Sequence, residues 1–359
     1  MMTHSPRVAI IGAFDPSYPR HQILIAGLER LDIQVMQCPL SRTANTIRQI
    51  PAILAQRAAL RRCDAVLVPA FNQLLAPIIG AIARHGRVIV DYMVGLTESL
   101  VEERGLTATR RKAFYAAVDR YNLRHFLTLT DTYTHQIFFE QFAGQQLSKM
   151  TVVPVGVYNK WYDRRPLPMT QPDQPLLVQF FGSYIPFHGV DVIVDAAAQL
   201  SSDPRFHFEL IGRGQTYSAI RASAEAHGLA NLTFVDPIPA EALPERVAHA
   251  DICLGVFGPR DKTEYVIPNK VYQCLAIGRP LITAESTALN ECFTPGRDLV
   301  TIPPGDPTAL ASALRHLAEF PDERARLSAA ASEQITQRFQ PEHVVLPLYK
   351  LINALVDQD

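Results

Sequence analysis

The stretch TEYVIPNKVYQCLAIGRPLIT, residues 263–283, has the residue types to hold an anion. Pro268 disfavours helix at Ile267 and so sets where a helix begins. Asn269 is a good N-cap. The amides of Lys270, Val271 and Tyr272 then lack partners within the helix. Lys270 adds a positive charge where the helix dipole is already positive. Gln273, three residues on, faces the same side, and Gly278 ends the helix. A phosphate with a hydroxyl-rich group beside it suits this set. The alternative is a solvated lysine at a helix start. Lys262 and Arg260, on the loop FGPRDKTEY, are placed to close over the same anion.

Other turns offer less specific chemistry. FFGSYIPFHGVD places Gly182 and Ser183 at a strand end and His188 at a helix start, where free amides can hold an anion. His188 either adds a donor, charged at low pH, or caps and packs. In LIGRGQ, the turn Gly212-Arg213-Gly214 lets backbone approach a ligand closely. In FVDPIPAEAL, Asp236-Pro237 gives a loop against which a planar base can lie. In the first half, IIGAFDPSYPRHQ supplies Gly12, Asp15 and Arg20. VIVDYMVG ends on Asp91, either a ligand-facing carboxylate or a structural one. In LTDTYTHQ, Asp131 is expected to cap a helix and His135 to pack. There is no G-x-G-x-x-G fingerprint, no H-E-x-x-H, no G-x-S-x-G and no Walker A motif. A nicotinamide dehydrogenase and a dedicated metal site thus lack support.

Strands and helices must position these turns. Apolar β-branched runs such as RVAIIGAF, DAVLVPA and LLVQFFGS alternate with stretches of helical spacing such as HQILIAGLERL and DVIVDAAAQL. Continuous apolar strands between helices predict a parallel sheet covered on both faces. DRRPLPMTQPDQPL breaks the rhythm with four prolines and reads as a semi-stiff linker. The pattern then restarts and ends in helices. The expected fold class is α/β, two doubly wound domains facing a cleft, with ligands outside the carboxyl ends of the strands.

A chain of 359 residues, 48% of them hydrophobic, can fill two cores. No apolar run nears the roughly 20 residues that cross a bilayer, and the start reads as a buried strand rather than a signal peptide. Five cysteines with no C-x-x-C pair read as buried free thiols and point to a reducing cytoplasm. Residues 1–160 hold 18 Lys and Arg against 11 Asp and Glu; the remainder holds 16 against 24. A basic first half points to a phosphate-bearing acceptor or an acidic membrane surface, unless it is plain surface drift. A nucleic-acid partner is not expected.

GSYIPFHG, LIGRG, FVDPIP, ADICLGVFG and above all IPNKVYQCLAIGRPLITAES, in this order over roughly residues 176–300, resemble the retaining, nucleotide-sugar-dependent glycosyltransferases of family four. That family has the GT-B architecture of two Rossmann-like domains. The resemblance implies an acceptor domain at 1–162, a linker at 163–175 and a nucleotide-sugar domain at 176–339. A C-terminal helix at 340–359 would return to the first domain. Gly182-Ser183 and Asn269-Lys270 would hold the diphosphate of a nucleotide sugar, with His188, Gly212, Arg213, Asp236, Pro237, Pro268 and Gln273 around it. Gly12, Asp15 and Arg20 would face a polysaccharide or lipid-linked acceptor. Asp91, Lys262, Glu264 and Lys270 are the catalytic candidates. No cofactor or metal is implied beyond the nucleotide sugar itself. Where the family has a lysine this chain has His188, and where it has two acids it has Tyr265 and Gln273. The departures leave open a catalytically degenerate nucleotide-sugar-binding subunit, and the architecture leaves open a nucleotide-sugar epimerase.

Overall fold

In the computed structural model, which describes residues 5–99, 108–162, 174–258 and 260–357, the alternating pattern folds as strand and helix in turn. The first stretch runs β1 (Arg7–Gly12), α1 (Pro19–Arg30), β2 (Gln34–Pro39), α2 (Thr46–Ala55), α3 (Arg57–Leu60), β3 (Ala65–Val68), α4 (Ala76–Ile82), β4 (Val88–Asp91), α5 (Thr109–His125), β5 (Leu127–Thr130), α6 (Tyr133–Ala143) and β6 (Met150–Val152). Its strands form a parallel six-stranded sheet in the order β2-β1-β3-β4-β5-β6. Every residue of β3 and β4 is buried, as strands covered on both faces require.

The second stretch runs α7 (Asn159–Tyr162), β7 (Leu176–Phe181), α8 (Val190–Gln199), β8 (Phe206–Ile211), α9 (Tyr217–Ala226), β9 (Leu232–Val235), α10 (Leu243–Val247), β10 (Ile252–Leu254), α11 (Arg260–Thr263), α12 (Asn269–Ile277), β11 (Leu281–Ala284), α13 (Thr287–Cys292), β12 (Val300–Ile302), α14 (Pro307–Glu319) and α15 (Pro321–Arg338). Its sheet is also parallel, in the order β12-β11-β10-β7-β8-β9. The chain winds outward from β7 in both directions, so the switch point lies between β7 and β10. Phe180, Phe208, Leu254 and Ile282 of four neighbouring strands meet in one apolar core with α8 and α14.

Two compact units result: residues 1–156 with 340–359, and residues 157–339. The change falls at Gly156–Val157, earlier than expected, because α7 belongs to the second unit. There Val157 N–H donates to Phe339 O, and Trp161 stacks on Phe181. The linker expected at 163–175 falls almost wholly outside the described residues. The last helices, α16 (Pro341–Val344) and α17 (Leu346–Val356), join the first unit: α16 packs on α1 and α17 on β6. All five cysteines are buried and free. No described helix is long and apolar enough to cross a membrane.

Candidate functional site

The second unit gathers its polar groups at the carboxyl ends of β7, β8 and β9. After β7 the chain turns at Gly182, whose φ of +147° is a region that side chains rarely adopt. After β8 it turns at Gly212, φ +134°, where an added Cβ would meet the Gly182 carbonyl oxygen at 2.0 Å. The two turns therefore lie backbone against backbone. Gly182, Ser183, Gly212, Arg213 and Pro237 line a cavity of about 230 Å³, floored by Phe181 and Ile211. Arg213 Nε donates to Asp236 Oδ1 at 2.6 Å, and its guanidinium lies 4.2 Å over the Tyr217 ring. The loops after β8 and β9 are thus joined at the mouth of the cavity.

Beside Gly182 stands Lys270, in the first turn of α12. Its side chain points inward: the residue is 5% exposed, and Nζ has no hydrogen-bond partner. Nζ rests 3.9 Å over the Phe180 ring, a contact that supplies some attraction for a cation but no acceptor lone pair. Burial pulls the Lys270 pKa down to about 7, offset in part by the Cys274 thiol. A Cβ on Gly182 would sit 3.0 Å from this Nζ and 3.3 Å from His188 Cε1, so the absent side chain leaves room for both groups.

His188 closes the other side, on a single 3-10 turn, Pro186–His188, ahead of α8. Its Nδ1 donates to the Ser183 carbonyl, which leaves the lone pair on Nε2. Burial first, then the neighbouring Lys270 charge, hold its pKa well below the usual value. The ring is therefore neutral at physiological pH, and a positive charge is confined to lower pH than its type alone would give.

The α12 start differs from the sequence reading in one respect. Pro268 is the N-cap residue and Asn269 the first helical one, with no side-chain cap bond. Val271 N–H donates to the Pro268 carbonyl, so one of the expected free amides is occupied. Asn269 Oδ1 is instead buried without a partner, a second unsatisfied polar atom next to Lys270. Gln273 is buried on the same helix. Tyr265 is buried, with the Val266 and Ile267 side chains after it.

Two catalytic candidates in this unit have other surroundings. Glu264 Oε1 accepts from the backbone N–H and hydroxyl of Thr287, at the start of α13, where a helix start favours a carboxylate. It thus fastens α11 to α13. Lys262 Nζ lies 5.9 Å over the Phe187 ring, on the His188 side. Its charge adds to the depression of the His188 pKa.

In the first unit, Asp91 is not presented to solvent. It is 0% exposed and accepts from Arg20 Nε and one terminal nitrogen at 3.0 and 3.1 Å. The other terminal nitrogen of Arg20 donates to the Val153 and Pro154 carbonyls. Asp91 and Arg20 so form an internal brace tying α1, β4 and the chain after β6. Asp15 accepts from Ser17 and pairs with Arg42, which shapes the loop after β1 and holds its carboxyl below the usual range. Gly12 lies at the switch point of its sheet. Buried Asn72 fills the space over it and accepts from Ala13 N–H at 2.6 Å.

Asp131 does not cap α6; Thr132 does, accepting from His135 N–H. Asp131 Oδ1 bonds His135 Nδ1 at 2.7 Å, and Glu98 lies 3.4 Å from Nε2. Burial disfavours the charged ring, but the two carboxylates outweigh it and raise the His135 pKa to about 9. Sequence reasoning missed Phe180, Asn72 and Glu98. Phe180 and Asn72 carry no local signal, being one apolar strand residue and one loop amide. Among the described residues, no group of three His, Cys, Asp or Glu could hold a metal ion.

Residues 175–319, all within the second unit, match the family Glycosyl transferases group 1. In fold the chain is similar to Anabaena HepE in complex with UDP-glucose, 16% identical over 99% of this chain and 100% of that one, TM-score 0.72. It is similar also to sucrose-phosphate synthase from Thermosynechococcus elongatus, 15% identical over 99% of this chain and 100% of that one, TM-score 0.72. A third is WaaG, a glycosyltransferase involved in lipopolysaccharide biosynthesis, 15% identical over 97% of this chain and 99% of that one, TM-score 0.67. A search of curated protein sequences found no match. The second unit thus matches a glycosyltransferase family, and the chain as a whole shares the two-domain GT-B fold of these solved structures.

Proposed function

We propose that the chain moves a sugar from a uridine diphosphate sugar to an acceptor hydroxyl, with retention at the anomeric carbon and without a metal. The observation that carries this is Lys270: a buried amine whose Nζ no protein group hydrogen-bonds, beside a cavity lined by two glycine turns. The uridine base is favoured because Anabaena HepE, of the same fold, was solved with UDP and UDP-glucose. The base would lie in the cavity at Gly212, Arg213 and Pro237, and the diphosphate at Gly182 and Lys270. Ser183, Asn269 and Gln273 would serve phosphate and sugar hydroxyls, and neutral His188 would offer its Nε2 lone pair to a hydroxyl.

In the transfer, the bond from the anomeric carbon to the diphosphate oxygen breaks and the bond to the acceptor oxygen forms. The acceptor proton ends on the departing diphosphate. Lys270 stabilises the charge that develops there, in the place a metal takes in other transferases. The first unit would hold the acceptor, a polysaccharide or lipid-linked sugar, near Gly12 and Asp15. Its basic character suits an acidic membrane surface on the cytoplasmic side.

A second reading, a subunit that binds nucleotide sugar without turnover, is favoured by Tyr265 and Gln273. Neither supplies the carboxylate that the family has. Thermal unfolding with UDP, GDP, ADP, TDP and CDP, with and without EDTA, tests both. UDP at about 100 times its dissociation constant should stabilise by roughly 2.7 kcal/mol, unaffected by EDTA. No shift with any nucleotide removes the donor reading. A UDP shift with neither transfer nor hydrolysis of UDP-sugars favours the subunit.

A further inference from the structure

Among the described residues, one face of the first unit exposes charge of a single sign. The steps β2 to β3, β3 to β4, β4 to β5 and β5 to β6 all cross the sheet in one direction, and β1 to β2 runs in the other. With right-handed crossovers, α2–α3, α4, α5 and α6 therefore share a face, opposite α1. Among the described residues between 41 and 150, every exposed charged side chain is basic. Arg48, Arg57 and Arg62 lie on or beside α2–α3, and Arg110, Arg111 and Arg120 on α5. The described acids of this stretch are buried, like Asp119, or half-buried, like Asp64 and Glu140. Charges within a Debye length of about 8 Å act together in physiological salt, so the described part of this face, which exposes no acid, keeps its potential.

The same face exposes large apolar side chains. On α2 the outward ridge is Ile47, Pro51 and Leu54, with Ile47 75% exposed, while Gln49 and Ile53 face the core. On α5 Phe114, 57% exposed, and Tyr121 stand two turns apart on the outward side. Ile137 on α6 is 53% exposed. Phosphate backbone alone, as in nucleic acid, gives an aliphatic ridge nothing to bury against; the boundary of headgroups and acyl chains does.

We propose that the α2–α6 face lies on an anionic lipid bilayer, its arginines at headgroup phosphates and Ile47, Leu54 and Phe114 sunk to the acyl boundary. This gives the membrane contact proposed above its surface, and rests on that reading. The test is pelleting of the full chain with phosphatidylcholine vesicles, with and without phosphatidylglycerol, at low and high salt. The wild type should pellet with the anionic vesicles at low salt and be released at high salt. Arg57→Gln with Arg62→Gln should weaken this roughly 25-fold, about fivefold per arginine. Ile47→Ser with Leu54→Ser should weaken it several-fold at the same salt, with the thermal midpoint and the UDP shift unchanged. A wild type that ignores anionic vesicles overturns both the membrane reading and this surface. A wild type that binds, with both double variants binding equally well, overturns the surface alone. Loss in the arginine variant only, with duplex DNA competing, would mean a plain cationic patch and also overturns it.

Discussion

Two buried cations of the first unit, Arg20 and His135, and one of the second, Lys270, are held in opposite ways. In the first, Arg20 is closed in by Asp91 and two carbonyls, and His135 lies between Asp131 and Glu98. In the second, Lys270 has only the face of Phe180. Removing an ion from water costs several kcal/mol, which partners must offset. A buried charge with its partners in place is finished, and serves to hold elements together. One without them marks a place where the protein leaves room for an anion. This contrast moves Asp91 from catalytic candidate to brace and supports the donor site proposed around Lys270.

The comparison can be broken most directly at Asp91. Asp91→Ala leaves the Arg20 guanidinium buried and half-paired, and should destabilise the chain by about 3–5 kcal/mol in denaturant unfolding. A cost below about 1 kcal/mol together with lost transfer would return Asp91 to the catalytic list.

Lys270→Met should weaken UDP binding by about 1.5–3 kcal/mol, the range for hydrogen bonds to charged groups, while stabilising the empty protein. The sign follows from the pKa. Lys270 titrates at about 7 in the folded chain against 10.5 ordinarily, so between those values the unfolded chain binds more protons. Its contribution therefore makes stability rise with pH, by roughly 1.4 kcal/mol per unit. His135 runs the other way: raised from 6.5 to about 9, it stabilises fully below 6.5 and loses this as pH rises through 9. The two slopes oppose each other between pH 7 and 9. Stability measured by denaturant over that window should be nearly flat in the wild type and fall in Lys270→Met. Equal slopes in both proteins would show that Lys270 is not held near neutrality.

The smallest effect is expected at Glu264. Glu264→Gln keeps an acceptor for Thr287 and should change stability by less than about 1 kcal/mol, with transfer essentially intact. Lost turnover with UDP binding retained would instead assign it to the chemistry.

What the sequence made legible follows from the range of the interactions. The strand-and-helix rhythm and the glycine turns are local, so the two sheets, Gly182, Gly212 and Lys270 could be read directly. Asp91 could not, because Arg20 lies 71 residues away and nothing in VIVDYM signals it. Glu264 met Thr287, 23 residues on, for the same reason. Asn269 was misplaced by one position, since Pro268 can end the preceding segment as its own cap. His188 was read from its type, whereas its charge is set by how deeply Lys270 and the strand end enclose it.

The return of α16 and α17 to the first unit also bears on how the chain is made. Gly27 of α1 lies so close to α16 that a Cβ would meet the Pro341 carbonyl oxygen at 2.3 Å. Domains generally fold in the order in which they leave the ribosome. Here the earlier unit must wait with one face of α1 uncovered while the later unit is synthesised and folds, and it is sealed only when residues 340–357 emerge.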